Sequence, residues 1–364
     1  MRIVALYPAF DVRINEMAML WERLCTTHDA ECTVLAGARD VLKAHEAAEN
    51  DESRGRLTIC RFPQLAATPE VLDRGRAFKP DVIFCAVTEN MRLAKALSGN
   101  TGAPVILHNE YFLDNQTFLR RRYHGGIPPV RAMACWIGRS YLHRACASIF
   151  VSNPVERRLP AWQKYSRLRY LPWPHPDVGD PASRSKRDLL FSAYIGSMSK
   201  GKGAGHLLRA YAALLQALPE FQLQIVGPAV DAEGEQTVRT LQVDFPKQVK
   251  VLPRCSRPEA MELLRRSLFV FSPAQRYGWG LIGDAWGTGT PVISIIEHYD
   301  LSDGTNCLVA PDAPAFVRKA TALRDDASLF NRITAGGQAA IADHSFDAVA
   351  EVLWTGLRSV LRSS

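Results

Sequence analysis
The sequence predicts an α/β protein built of two doubly wound halves, each a parallel sheet layered with helices. Three observations carry that expectation. Short apolar runs such as Val4–Tyr7, Cys32–Leu35, Val82–Ala86 and Gln222–Val226 recur along the chain with helical stretches between them, the pattern of parallel strands joined by helical crossovers. The stretch Pro172–Ser185, PWPHPDVGDPASRS, is rich in Pro, Gly, Asp and Ser and reads as a single linker. The segment Ser272–Ile293 follows an apolar strand and reads as glycine turn, short helix and strand, one α/β unit in itself.

In order, Val4–Tyr7 is the first strand, Pro8–Arg13 a loop, and Glu16–Leu24 an amphipathic helix carrying Met17, Met19, Leu20 and Leu24. Strands follow at Cys32–Leu35, Leu57–Phe62, Val82–Ala86, Val105–His108, Ala147–Val151 and Leu168–Leu171, and the polar stretch Glu46–Arg56 belongs on the surface. Residues 1–171 form the first domain and 172–185 the linker. The second domain, 186–345, has strands at Leu189–Ile195, Gln222–Val226, Val249–Leu252, Leu268–Phe271, Val292–Ile295 and Cys307–Val309. Its helices are expected at Gly205–Leu215, Pro258–Arg266, Leu281–Trp286, Pro314–Leu323 and Leu329–Ile341, the last broken at Gly336-Gly337. The final helix, Phe346–Leu361 within 346–364, sets Val349, Val352, Leu353, Leu357 and Leu361 near one face. Two such sheets are expected to turn the carboxyl ends of their strands toward a common cleft.

Bulk properties narrow the class. The 364 residues suffice for two domains, and 47% apolar with 22% charged residues fits a soluble globular protein. The N-terminal apolar run is too short for a signal peptide, and no run approaches a membrane span. Eight cysteines without a CxxC pair fit a reducing cytoplasm and argue against a zinc site or disulfide scaffold. The net charge of +7 is uneven: between Gln116 and Tyr170 stand eleven basic residues and one acid, Glu156. Such a patch suits anionic lipid, nucleic acid or an acidic substrate, or is a solvated helix face. No helix-turn-helix, RNP or zinc-finger pattern supports nucleic acid.

The chemistry concentrates in two glycine-rich segments. Gly196–Ala210, GSMSKGKGAGHLLRA, leads from a strand into a helix, and its Lys202 places a cation where the helix dipole already favours an anion. In the second, Gly278 and Gly280 let backbone approach a ligand, and Asp284 lies about a turn into the helix, where it can accept hydrogen bonds from a ribose. Gly196, Lys202, Gly203, Leu207 and Ala210 resemble the pattern of glycosyltransferase family 4 on the GT-B fold. The likeness continues through Gln224–Gly227, Phe271–Pro273, Gly289–Ile293 and Asp303–Asn306. It covers most of the second half. In the first half it rests on layout, Glu16, His108 and Val151-Ser152.

The resemblance implies a GT-B enzyme whose final helix crosses back to the first domain. It implies transfer of a hexose-type sugar, with retention, from a nucleotide diphosphate donor to a glycan, lipid-linked or small-molecule acceptor, without metal or cofactor. It implies donor contacts from Gly196, Ser197, Lys202, Gly203, Gly227, Tyr277, Gly278, Trp279, Gly280, Leu281 and Asp284. Catalytic roles fall to Lys202, His108 and Arg276, and acceptor contacts to Phe10, Asp11, Glu16, Asn109 and Glu110. For His108, at a strand end, and Glu16, on a helix, purely structural roles stand beside these. The family's docking on anionic membranes suggests a cytoplasmic chain peripheral on the inner membrane face, in polysaccharide biosynthesis.

Three departures stand out. Ser197 replaces the family's arginine, and the first loop reads Pro8-Ala9-Phe10-Asp11 in place of a glycine pair. The first of the family's two acids falls on Arg276 or on Tyr277, depending on the alignment, and neither is an acid. Arg276 is therefore expected to supply a second diphosphate contact or meet an acidic sugar. A nucleotide-sugar epimerase or hydrolase of the same fold, and a non-catalytic nucleotide-sugar-binding protein, stay open. Gly196–Gly203 also misses a phosphate-binding Walker loop only at Gly203, which removes the metal-binding hydroxyl.

Overall fold
The computed structural model describes residues 1–8, 10, 16–37, 51–109, 112–113, 129–176, 188–274, 279–297 and 300–362. The chain divides into two compact units, residues 1–174 with 344–364 and residues 175–343.

The first unit holds strands β1 (Arg2–Tyr7), β2 (Glu31–Gly37), β3 (Glu52–Arg54), β4 (Leu57–Phe62), β5 (Val82–Cys85), β6 (Val105–Asn109), β7 (Ser148–Val151) and β8 (Leu168–Tyr170). They form one sheet in the order β3-β4-β2-β1-β5-β6-β7-β8. Every pairing is parallel except that of β3, which runs antiparallel to β4 inside the stretch expected to be plain surface. Successive strand residues point to opposite faces. Thus Ile3, Ala5 and Tyr7 enter one apolar cluster, and Val4 and Leu6 another. Both faces are covered, which is why the strands read as unbroken apolar runs. Helices α1 (Glu16–Thr27), α2 (Pro69–Ala77), α3 (Met91–Thr101) and α4 (Pro129–Ala145) belong to this unit. So does the terminal helix Phe346–Leu361, whose Val349, Leu353 and Leu357 join Trp21 and Leu24 of α1 in the first cluster. Arg23 and Asp347 add a bidentate bond between those helices at 2.6 and 2.9 Å, worth little because it is exposed.

The second unit holds β9 (Phe191–Ile195), β10 (Gln222–Val226), β11 (Val249–Leu252), β12 (Val270–Ser272), β13 (Val292–Ser294) and β14 (Leu308–Val309). They form two parallel three-stranded sheets, β11-β10-β9 and β12-β13-β14. The two abut along β9. There Leu268 N–H donates to the Phe191 carbonyl (2.8 Å), the Ser192 hydroxyl to the Phe269 carbonyl (2.9 Å), and Ala193 N–H to Ser267 Oγ (3.0 Å). Serine hydroxyls thus stitch the junction, and the ladder proper starts only at Val270. Across it the order becomes β11-β10-β9-β12-β13-β14, the Rossmann order, which reverses between β9 and β12.

Helices α5 (Ala204–Ala217), α6 (Ala232–Asp244), α7 (Arg257–Arg266), α8 (Trp279–Gly287), α9 (Ala313–Asp325) and α10 (Ala327–Ala342) complete the unit, and the terminal helix is α11. Gly336-Gly337 does not break α10. A Cβ at Gly336 would lie 2.0 Å from the Thr305 carbonyl oxygen, and one at Gly337 would lie 2.4 Å from the Trp286 ring, so the pair serves close packing. Gly280 lies within α8, which begins two residues before the expected start.

Candidate functional site
The second unit's topological switch point is where ligands of open α/β sheets bind, and its glycines are built for close approach. Gly196 (φ 147°) ends β9 and Gly227 (φ 125°) ends β10. A Cβ at Gly227 would lie 2.5 Å from the Gly196 carbonyl oxygen. From the other side, Gly203 (φ 81°) would press a Cβ to 2.2 Å from the Pro273 carbonyl oxygen. The loops after β9, β10 and β12 therefore touch backbone to backbone, and Lys202 sits in the middle of this arrangement.

Lys202 ends a one-turn 3-10 segment capped by Ser199, whose Oγ accepts its backbone N–H at 3.2 Å. The side chain is half-buried, and no carboxylate among the described residues pairs with it. Burial pushes its pKa below the usual lysine value. Asp231 anchors the same loop, accepting N–H groups from Lys200 (2.9 Å) and Gly234 (2.8 Å), and these bonds lower its pKa. The first amides of α5 are not free for a ligand: Ala204 donates to the Ser199 carbonyl, and Gly205 to Glu233 Oε1 at 3.3 Å. The cation, more than these amides, has unspent capacity.

Asp284 lies on α8, beyond β12. Its Oδ1 accepts from Arg257 Nη2 (2.6 Å) and lies 3.0 Å from His175 Nε2. Neither partner is foreseen from the sequence, since they stand 27 and 109 positions away and His175 falls in the expected linker. Of the other donor assignments, Trp279 is buried against Trp286 and Leu281 packs on the core. Ser197 is half-buried and accepts from the Tyr194 hydroxyl through its carbonyl (3.2 Å). These residues offer a ligand mainly backbone. Arg276, Tyr277 and Gly278 lie outside the described residues, as do Asp11 and Glu110 of the first unit.

In the first unit, Phe10 is 1% exposed and edge-on to Tyr7, a core ring and not an open acceptor surface. Glu16 opens α1, where an acid suits the helix dipole. Asn109 ends β6, half-buried. His108 is 3% exposed, 2.8 Å from Ser152 Oγ through Nε2, stacked on Phe84 and tilted against Trp173. Burial lowers its pKa to about 4. At neutral pH the ring is uncharged, so it can hydrogen-bond but not act as a cation. Unfolding frees it to protonate near 6.5. Stability is therefore complete above about pH 6.5 and is lost as pH falls toward 4, by about 3 kcal/mol. His108→Gln is expected to flatten this acid limb, as urea midpoints at pH 7.5 and 4.5 will show.

The basic span is partly structural. Arg139 is buried and donates to the carbonyls of Phe112 (2.9 Å) and Leu113 (2.7 Å). Arg167 reaches the carbonyls of His143, Arg144 and Cys146 at 3.1, 3.3 and 2.8 Å, closing the end of α4. Arg120, Arg121 and Arg122 lie outside the described residues. Among the described residues no helix is long and apolar enough to cross a membrane, and no cluster of three His, Cys, Asp or Glu could hold a metal ion.

Residues 191–326 match the family described as Glycosyl transferases group 1, a span within the second unit that takes in Gly196, Lys202 and Asp284. No curated protein matches the sequence. The solved structure of sucrose-phosphate synthase from Thermosynechococcus elongatus superposes over 100% of both chains, with a TM-score of 0.73 at 16% identity. HepE of Anabaena in complex with UDP and glucose covers 99% of this chain and 100% of its own, with a TM-score of 0.66 at 14% identity. A glycosyltransferase from Rickettsia africae gives a TM-score of 0.70 at 10% identity, over 100% of this chain and 99% of its own. The fold is GT-B, two Rossmann-like units, and the group 1 match takes in the C-terminal motifs from Gly196 to Asn306.

Proposed function
We propose that the chain is a glycosyltransferase that moves a hexose from a nucleotide diphosphate donor to an acceptor, with retention. One observation carries this reading: Lys202 is a half-buried cation with no acid partner among the described residues, set among touching glycine loops at a Rossmann switch point. An unpaired ammonium withdrawn from water is costly, and an anion offsets that cost. The diphosphate gains charge as the glycosidic bond breaks, so a fixed cation stabilises the leaving group more than the ground state. The group 1 match over this unit and HepE's complex with UDP support the same ligand class. A thermal-shift screen against UDP, GDP, ADP, CDP and dTDP with their sugars tests it. A true donor at 100 times its Kd adds about 2.7 kcal/mol to stability, and silence across the whole set refutes the reading.

The acceptor is assigned to an anionic membrane surface. On α4, Val130, Met133, Ile137 and Tyr141 are 73, 57, 52 and 44% exposed, and Trp136 beside them is 61% exposed. Their three- and four-residue spacing sets the first four on one helix face, and Arg144 continues it. The helix has no acid. Apolar side chains flanked by the exposed Arg131 and Arg144 suit insertion among anionic head groups. Binding to phosphatidylglycerol vesicles at low salt is expected to exceed that to phosphatidylcholine at least about tenfold and to be lost in the W136S/I137S variant. No binding to phosphatidylglycerol vesicles at low salt points to a water-soluble acceptor.

A further inference from the structure
We infer that His175 is a positioning residue for Asp284, holding that carboxylate so that its second oxygen meets the ribose hydroxyls of a nucleoside diphosphate; this rests on the donor site proposed above. Both donors reach the same oxygen: Arg257 Nη2 lies 2.6 Å and His175 Nε2 3.0 Å from Oδ1. A carboxylate oxygen accepts through two lone pairs, so Oδ1 is filled, while Oδ2 bonds no described residue and can meet a ligand. The two donors differ in stiffness. The Arg257 side chain is 47% exposed, whereas that of His175 is 3% exposed.

The imidazole is seated by three features. Gly283, the residue before Asp284, has no side chain, and a Cβ there would lie 2.2 Å from His175 Cδ2. Trp279 stands edge-on to the ring, centroids 6.3 Å apart at 86°. Pro174 and Pro176 flank His175 in sequence, and the following proline confines its backbone to extended conformations. A glycine inside α8 is otherwise a poor choice; here it opens the space for the ring. Because a carboxylate oxygen only accepts, Nε2 carries the proton, and the 3.0 Å bond fixes the carboxylate about its own Cβ–Cγ axis. Vicinal ribose hydroxyls are the matching donors for an oxygen held in one orientation at the carboxyl end of the sheet.

The test is calorimetric titration with whichever of UDP, GDP, ADP or CDP gives the largest thermal shift, with its 2′,3′-dideoxy form, and with inorganic pyrophosphate. Wild type is expected to prefer the ribonucleotide by about 10- to 100-fold, the scale of a charge-assisted hydrogen bond, and Asp284→Ala to abolish the preference. His175→Phe is expected to lose most of the preference while binding pyrophosphate as wild type does, and His175→Gln to restore it through an amide N–H near the Nε2 position. Gly283→Ala, which crowds the ring with His175 still present, is expected to give the same loss and serves if His175→Phe does not fold. A preference undiminished in both His175→Phe and Gly283→Ala overturns the inference. So does an equal loss of pyrophosphate binding, which marks general damage. A preference kept by Asp284→Ala overturns it as well while leaving the donor site standing. Failure of wild type to bind any diphosphate removes the donor site itself and the inference with it.

Discussion

Lys202→Ala is expected to lower kcat about 100- to 1000-fold, the usual scale for one preorganised charge-stabilising group, with the fold intact. The prediction follows from the ammonium's surroundings. It is half-buried and lacks an acid partner among the described residues, so removing it strands no carboxylate and relieves a desolvated charge. Stability should hold or rise slightly while turnover collapses, a combination that separates a catalytic cation from a structural one. The pH dependence adds a second check. Burial lowers the Lys202 pKa from its ordinary 10.5, so kcat/KM should decline on the alkaline side earlier than an exposed lysine would dictate. Saturating diphosphate pulls the pKa back up and moves that limb to higher pH in kcat. A loss under roughly tenfold in Lys202→Ala would place the diphosphate elsewhere.

Gly203→Ala has the second largest expected effect, and it acts through backbone. The residue has φ 81°, and a Cβ would lie 2.2 Å from the Pro273 carbonyl oxygen. That neighbour is main chain at the end of β12 and cannot swing aside. A loss of roughly 2–4 kcal/mol in stability is expected from strain and clash together. Donor affinity should fall at least about tenfold as the loops after β9 and β12 are forced apart. Gly201→Ala, two residues earlier, has nothing within 4 Å of the added carbon and no positive φ, so it is the matched control and should be near neutral. Urea unfolding and donor titration of the pair decide the matter.

The parts of this fold that the sequence announced are those where one physical demand dominates. Short runs rich in β-branched and apolar residues, bounded by turn segments, are strands, so Leu57–Phe62, Gln222–Val226 and Val249–Leu252 are read with their observed limits. Phe346–Leu361 is found because its apolar residues keep helical spacing. The helix Ala232–Asp244 goes unseen because it buries only Gly234, Thr237 and Leu241 and presents polar residues elsewhere. Its signal, Asp231 as N-cap followed by Glu233 and Glu235, is chemical and not periodic. Strand Glu52–Arg54 is polar edge strand, invisible to apolar patterning. Gly336-Gly337 misleads because glycine marks both broken helices and tight packing, and only the neighbours, Thr305 and Trp286, decide. At the site, Lys202 is legible from local spacing around one turn. The partners of Asp284 are not, because nothing in the chain links position 284 to 175 before the fold does.

Helix α11 completes the first unit, although 169 residues of the second unit (175 to 343) separate it from the rest. On the ribosome, the N-terminal sheet is therefore made early but waits with one apolar face covered only in part, by α1. The intervening lobe is contiguous, and its chain emerges whole over roughly 10–30 s of elongation. The lobe translated second should thus reach its native state first, while the earlier sheet depends on holdase protection until Val349, Leu353 and Leu357 arrive to close it.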